Sequence, residues 1–185
     1  DRGGFSLDEV FPHQCPCCRQ PTRIHETKGR DENGKERIIK TLFCDNAACE
    51  TRKLKQFVHF VSKKAMNIEG LSEATLEKLI GRGWIHSYMD LYSLDQHKDE
   101  LIRMEGFGEK SWQRLWAAVQ ESRNTTFERY VIAMDIPMIG NTASGVLCQE
   151  FHGSLDEFRD AVYAWYDFRQ LPDFGDTLHN NIHEW

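Results

Sequence analysis

The chain has 185 residues, 40% hydrophobic and 28% charged. That length supports one helical core plus a small module. No apolar run is long enough to span a bilayer, and no signal-peptide pattern opens the chain. A chain beginning at Asp1 reads as a fragment of a larger cytoplasmic protein. The net charge of −6 argues against a generic nucleic-acid binder, yet the charge is uneven. Residues 19–64 carry 12 Lys and Arg against 6 Asp and Glu, whereas the remainder carries 11 against 23. Such asymmetry can orient a protein on a polyanion; an unevenly solvated surface is the plainer reading.

Residues 1–13, with Gly3, Gly4 and Pro12 and few periodic apolar positions, read as a linker or the end of a preceding domain. Residues 14–50 hold five of the six cysteines: Cys15, Cys17, Cys18, Cys44 and Cys49. Cys15 and Cys18 form a C-x2-C pair, and Cys44 and Cys49 a C-x4-C pair. Both spacings fit paired thiolates on tight turns, and the gap between them fits a small zinc ribbon. A module this short buries too little core, so bound zinc would supply its folding energy. Cys17 competes with its neighbours for a place, but Cys17 and Cys18 are adjacent and point apart. The expected ligands are therefore Cys15, Cys18, Cys44 and Cys49. Four thiolates leave no open position for water, which predicts a structural and not a catalytic metal. Disulfides would need an oxidising compartment, of which there is no sign. His13, His25 and His59 read as ordinary surface or core histidines. The stretch from Lys28 to Lys40, with Asn33-Gly34 at its centre, reads as a hairpin tip, and Ile38, Ile39, Leu42 and Phe43 as its returning strand.

From Thr51 to Trp185 the pattern is helical. Leu54, Phe57, Val58 and Val61 form one apolar stripe, flanked by Lys53, Lys55, Lys63 and Lys64. A basic helix face of this kind can touch phosphates; snorkelling lysines are the alternative. Leu101 and Met104 fit the end of a shorter helix. Next comes Met104-Glu105-Gly106-Phe107-Gly108-Glu109-Lys110-Ser111, and after it Trp112, Leu115, Trp116 and Val119 fall on one helix face. The stretch reads as helix, tight hairpin, helix. Its glycines permit positive φ or close approach of another backbone, and the second helix opens with N–H groups that suit a phosphate.

That hairpin recurs. Ile68-Glu69-Gly70-Leu71-Ser72, Met104-Glu105-Gly106-Phe107-Gly108, Ile136-Pro137-Met138-Ile139-Gly140 and Leu171-Pro172-Asp173-Phe174-Gly175 read as one template, apolar, any, small or Gly, apolar, small or Gly, from which Met138 and Asp173 depart at the third position. Its third positions, 70, 106, 138 and 173, are separated by 36, 32 and 35 residues, which signals an internal repeat. Helix patterns follow the other copies too: Leu76, Leu79 and Ile80; Ala143, Val146 and Leu147; Leu178, Ile182 and Trp185. Phe127, Tyr130, Val131 and Met134 belong to a connecting helix, and Cys148 reads as a small core residue. The fold class is thus mainly α, with a small four-cysteine zinc ribbon followed by an all-α tandem of four helix-hairpin-helix motifs. Four helix N-termini can hold backbone phosphates without reading bases, so binding would be sequence-independent and salt-sensitive.

Four runs carry a resemblance: Cys15-Pro16-x-Cys18; Cys44-x-Asn46-x-x-Cys49; His59-Phe60-Val61-Ser62-Lys63-Lys64-Ala65-Met66-Asn67-Ile68-Glu69-Gly70-Leu71; and Glu105-Gly106-Phe107-Gly108-Glu109-Lys110-Ser111. Together they resemble bacterial NAD-dependent DNA ligase over nearly the whole chain, from about Pro12 to Trp185. The resemblance implies a four-cysteine zinc finger and four helix-hairpin-helix motifs that help the enzyme encircle nicked duplex DNA. It further implies Gly70, Ser72, Gly106, Gly108, Lys110, Ser111, Gly140 and Thr142 as DNA-binding residues. NAD and magnesium would serve only the catalytic part, whose lysine lies in a K-x-D-G motif absent here. No catalytic or cofactor-binding residue is therefore expected, and the fragment alone should be inactive. The implied partner is duplex DNA near nicks, bound by a monomer in the bacterial cytoplasm beside the nucleoid, with no membrane contact.

There are departures from the family pattern. Arg19 stands where Gly usually follows the second cysteine, and Glu50-Thr51-Arg52 where Pro-Ala-Gln usually follows the fourth. The stretch between the cysteine pairs is longer. Ser72 replaces the second Gly of the first hairpin, Asp135 a Gly before the third, and Asp173 the first Gly of the fourth, with Asp176 close by. From Glu150 to Trp185 there are 8 acidic and 2 basic residues, so the fourth hairpin is expected to be structural and the second to be the main DNA contact. Two rivals remain: a non-catalytic repair or recombination subunit that binds DNA junctions through the same motifs, and a scaffold whose hairpins only turn corners.

Overall fold

The computed structural model describes residues 11–30 and 35–185. Residues 1–10 of the linker expected at 1–13, and the Asn33-Gly34 tip, lie outside them. The chain divides into two compact units between Lys55 and Gln56.

The first unit is built on two antiparallel strands, β1 (Thr22–Arg30) and β2 (Glu36–Cys44), paired from Thr22↔Cys44 to Arg30↔Glu36. The bridge Gln14↔Pro21 continues the ribbon toward the first cysteines. Helix α1 (Glu50–Val61) starts directly after Cys49 and runs on into the second unit.

The second unit is helical. It contains α2 (Glu73–Gly81), a 3-10 segment (Tyr88–His97), α3 (Lys98–Leu101), α4 (Glu109–Glu121), α5 (Phe127–Ala133), α6 (Asn141–Glu150), α7 (Leu155–Tyr163) and α8 (Asp176–Glu184). Ser72, Thr126 and Ser154 cap α2, α5 and α7 through side-chain oxygens, each contributing about 1 kcal/mol. The helix pattern places Leu76, Leu79, Leu115, Val119, Leu147 and Ile182 at full burial, each stabilising by about 2 kcal/mol. Trp116 is half-buried, stacked on Trp112 at 5.2 Å. Trp185 departs from the expected stripe: it is 54% exposed, one turn beyond the last buried residue of α8, Ile182. Met104 lies in the turn and not in α3, which ends at Leu101. Cys148 packs half-buried against the core formed by Phe127, Phe151, Phe158 and Phe168.

Arg129 of α5 donates through Nη1 to the carbonyl oxygens of Lys63 and Ala65, both at 3.0 Å. This fixes the segment that leads into the first repeated turn. His59 Nε2 lies 2.6 Å from the carbonyl oxygen of Ile132, near the end of α5.

The four copies of the sequence template share one backbone geometry. Gly70, Gly106, Met138 and Asp173 all have left-handed φ, of 98°, 77°, 67° and 62°. Two residues on, Ser72, Gly108, Gly140 and Gly175 are extended and serve as helix N-caps. Each cap carbonyl accepts the first intrahelical bond, from Leu76, Trp112, Ser144 and His179 at 2.9–3.1 Å. Non-glycine residues rarely enter the left-handed region. Met138 and Asp173 do so because the turn needs that conformation whichever residue occupies it.

Candidate metal centre and nucleic-acid interface

In the first unit the backbone forms two turns whose sulfurs converge. Around Cys15 and Cys18, the Arg19 N–H donates to the Cys15 carbonyl at 2.9 Å, and the Cys15 N–H to the Gln20 carbonyl at 2.8 Å. Closing that turn puts Arg19 at a φ of 61°, in the left-handed region that favours glycine. On the other side, Cys44 ends β2 and Cys49 precedes α1. Asn46 joins them: its carbonyl accepts from the Cys49 N–H, and its Oδ1 from the Ala48 N–H, both at 3.0 Å. Arg52 Nη1 donates to the carbonyls of Cys44 and Asp45 at 3.3 and 3.0 Å.

The Sγ atoms of Cys15, Cys18, Cys44 and Cys49 all lie within 4.8 Å of one another. Cys15 and Cys49 are 3.8 Å apart, Cys18 and Cys44 3.5 Å. A disulfide needs about 2.05 Å. A tetrahedron with metal–sulfur bonds of about 2.3 Å has edges of about 3.8 Å, so the spacing fits a thiolate-held ion. Cys15 and Cys49 are buried, and Cys17 is exposed and outside the group. The sulfurs differ electrostatically. Hydrogen bonds from the Asn46 side chain and the Gln20 N–H favour the Cys18 thiolate and hold its pKa down at about 6. At Cys49 the Arg52 N–H favours the thiolate, but burial and the nearby Cys15 and Cys18 sulfurs outweigh it and push the thiol up to about 12. A divalent cation would offset the mutual repulsion of these thiolates.

In the second unit, the first two repeated turns line a common cleft of about 420 Å³. Its walls include Gly70, Ser72, Thr75, Gly106, Ser111 and Arg114. The structure therefore brings together Gly70, Ser72, Gly106 and Ser111. Gly108 and Lys110 stand beside them at the start of α4 without lining the cleft, and Gly140 and Thr142 belong to the third turn. Thr75 and Arg114 were not singled out from the sequence. Arg114 lies one turn into α4, three residues after Ser111, and the i+3 rule was the signal that could have found it. Ser72 Oγ is engaged as a cap, accepting from the Thr75 N–H at 3.1 Å.

The glycines divide into two kinds. Gly70 and Gly106 need positive φ. Gly108, Gly140 and Gly175 have ordinary extended φ, and a Cβ built on any of them meets nothing within 4 Å. Neither conformation nor internal packing calls for glycine there; open space at a helix N-terminus does suit close approach by a ligand. Charge separates the copies. At the second turn, Glu109 is paired with Lys98 at 3.2 Å. At the fourth, Asp173 and Asp176 add carboxylates, and the nearby cation Arg169 is shared between Asp167 and Asp176, at 2.7 and 3.3 Å.

These features define a chain with a four-cysteine ribbon and a helical repeat of like turns. No family model matches it. The DNA ligase of Ruminiclostridium cellulolyticum is 36% identical over 168 residues, or 91% of this chain. That of Lachnoclostridium phytofermentans is 35% identical over 89%, and that of Natranaerobius thermophilus 32% over 98%. Over most of its length the chain is thus similar to one part of each of these DNA ligases. It spans 24%, 24% and 25% of the length of these relatives. No helix among the described residues is long and apolar enough to cross a membrane.

Proposed function

We propose that this chain is the DNA-gripping part of a NAD-dependent DNA ligase. Its four turns act as helix-hairpin-helix motifs, and the free N–H groups at the start of α4 and α6 take backbone phosphates of duplex DNA near a nick. Lys110, Ser111 and Arg114 add charge and hydrogen bonds at the second turn, and Thr142 at the third. Gly70 and Ser72 shape the other wall of the cleft. Contacts to phosphate carry no base information, so binding is sequence-independent. The fourth turn, with its carboxylates, is structural. Cys15, Cys18, Cys44 and Cys49 hold a structural zinc ion that fixes the ribbon. NAD and magnesium act in the catalytic part of the enzyme, which the grip serves by holding the nicked ends in line. The working form is a monomer in the bacterial cytoplasm, beside the nucleoid.

The open space beyond Gly108, at a helix N-terminus beside the shared cleft, is the observation that carries this reading. Asp is a good N-cap, so Gly108→Asp and Gly175→Asp should both fold, but only the first sets a carboxylate where a phosphate would sit. Nicked-duplex binding by fluorescence anisotropy should weaken at least about tenfold with Gly108→Asp, the loss of one charge-assisted contact, and little with Gly175→Asp. Equal effects would refute the ranking, and no effect from either would refute the phosphate grip.

A further inference from the structure

Lys63 and Lys64 follow the end of α1 at Val61 and lie in a turn, not on the helix face. Both are exposed, and neither pairs with a carboxylate among the described residues. Cations near the fourth repeated turn differ: Arg159 is shared between Asp156 and Asp160, and Arg169 between Asp167 and Asp176.

The backbone of the lysine turn is held from within. The N–H groups of Ala65 and Asn67 donate to the Ser62 carbonyl at 3.0 and 2.9 Å, that of Met66 to Phe60 and that of Ile68 to Val61, both at 3.0 Å. Ala65, Met66 and Ile68 are buried, which anchors the turn on the core. The N–H groups of Lys63 and Lys64 have no acceptor among the described residues. Two unused donors therefore stand beside two unpaired ammonium groups.

A helix C-terminus ordinarily repels phosphate, because its last carbonyls carry the negative end of the dipole. Here those carbonyls are occupied. His59 accepts from the Ser62 N–H at 3.1 Å, and Phe60, Val61 and Ser62 accept the bonds above. Arg129 of α5 then covers the carbonyls of Lys63 and Ala65, on either side of Lys64, at 3.0 Å each. Arg129 is half-buried and has no carboxylate partner among the described residues. Arg129, Lys63 and Lys64 thus gather positive charge at one turn of a chain whose net charge is −6.

We infer that Lys63 and Lys64 form a further contact to the phosphate backbone of duplex DNA, and that Arg129 is the positioning residue that presents them. Its Nη1 is spent on the two carbonyls, so it acts through the turn and not on the phosphate. Such a contact extends the grip of the repeated turns back along the chain to the end of α1, and it stands only if that grip does.

The test is nicked-duplex binding by fluorescence anisotropy across a range of salt, at a temperature where circular dichroism shows each variant folded. Lys63→Ala combined with Lys64→Ala, both at exposed positions, should make the slope of log affinity against log salt shallower by about 2. Lys78→Ala, an exposed lysine in the last turn of α2, should leave the slope unchanged. Arg129→Lys keeps the charge but not the reach or shape of the guanidinium. It should make the slope shallower by about 1 or more, and add nothing when Lys63 and Lys64 are already alanine. A slope that the double lysine variant leaves unchanged, or shifts no more than Lys78→Ala does, overturns the phosphate contact. An unchanged slope with Arg129→Lys, or an equal further loss in the lysine-free background, overturns the positioning role. If the unaltered chain binds and Gly108→Asp weakens it, those failures fall on Lys63, Lys64 and Arg129 alone; if the unaltered chain does not bind at low salt, the grip itself fails and this contact with it.

Discussion

Gly70 meets helix α4 at Leu115 so closely that a Cβ on Gly70 would lie 3.3 Å from the Leu115 Cβ and 3.4 Å from its Cα. The first turn is thereby locked to the helix that follows the second turn, which is how the two come to share one cleft. Gly106, also at positive φ, has open space where its Cβ would be. Gly70→Ala therefore combines backbone strain with a tight contact on the Leu115 Cβ and should cost about 2 kcal/mol. Gly106→Ala carries the strain alone, about 1 kcal/mol. Urea unfolding of the two variants measures the difference; equal midpoints would mean that the Leu115 contact is not constraining.

Metal content separates the five clustered cysteines. Elemental analysis should find about one zinc per chain. Cys17→Ser should retain it, since Cys17 is exposed and outside the converging group. Cys18→Ser should lose most of it and unfold the ribbon. Protons compete with the ion for thiolates, so metal should be retained at neutral pH and released on acidification. Disulfides found in place of metal would contradict the assignment.

The fourth turn offers a pH signature. Hydrogen bonding by the Arg169 guanidinium holds the Asp167 carboxyl down at about 2, from an ordinary 3.8. A depressed carboxyl contributes stability above its unfolded pKa and loses it as pH falls through the folded value. The stability gap between the unaltered chain and Arg169→Ala should thus be full above pH 3.8 and close as pH falls toward about 2. The gap is small because the pair is exposed. A gap that widens on acidification would contradict the pairing.

Much of this arrangement was legible in the residues. The paired cysteine spacings pointed to the four sulfurs that converge, because a short module has few other ways to hold a fold. The repeat was visible because each turn demands apolar residues at fixed offsets around a kink. The left-handed conformation at Met138 and Asp173 was not visible, since Met disfavours it and Asp, though more tolerant of it, does not by itself mark it; only comparison with Gly70 and Gly106 reveals the shared position. Arg114 and Thr75 escaped notice because their membership of the cleft depends on how α4 packs against the first turn, a tertiary relation that periodicity does not carry. Trp185 kept the helical spacing of its stripe, but the core ends at Ile182, so spacing placed it inside and packing left it out.

The phosphate grip is tested most directly by the salt dependence of nicked-duplex binding. The account predicts that the logarithm of the affinity falls linearly with the logarithm of salt concentration, with a slope of about −0.9 per phosphate contacted. Arg114→Ala should weaken binding to all sequences alike and make the slope shallower by about 1. No binding at low salt, or an affinity that does not change as salt is raised, would contradict it.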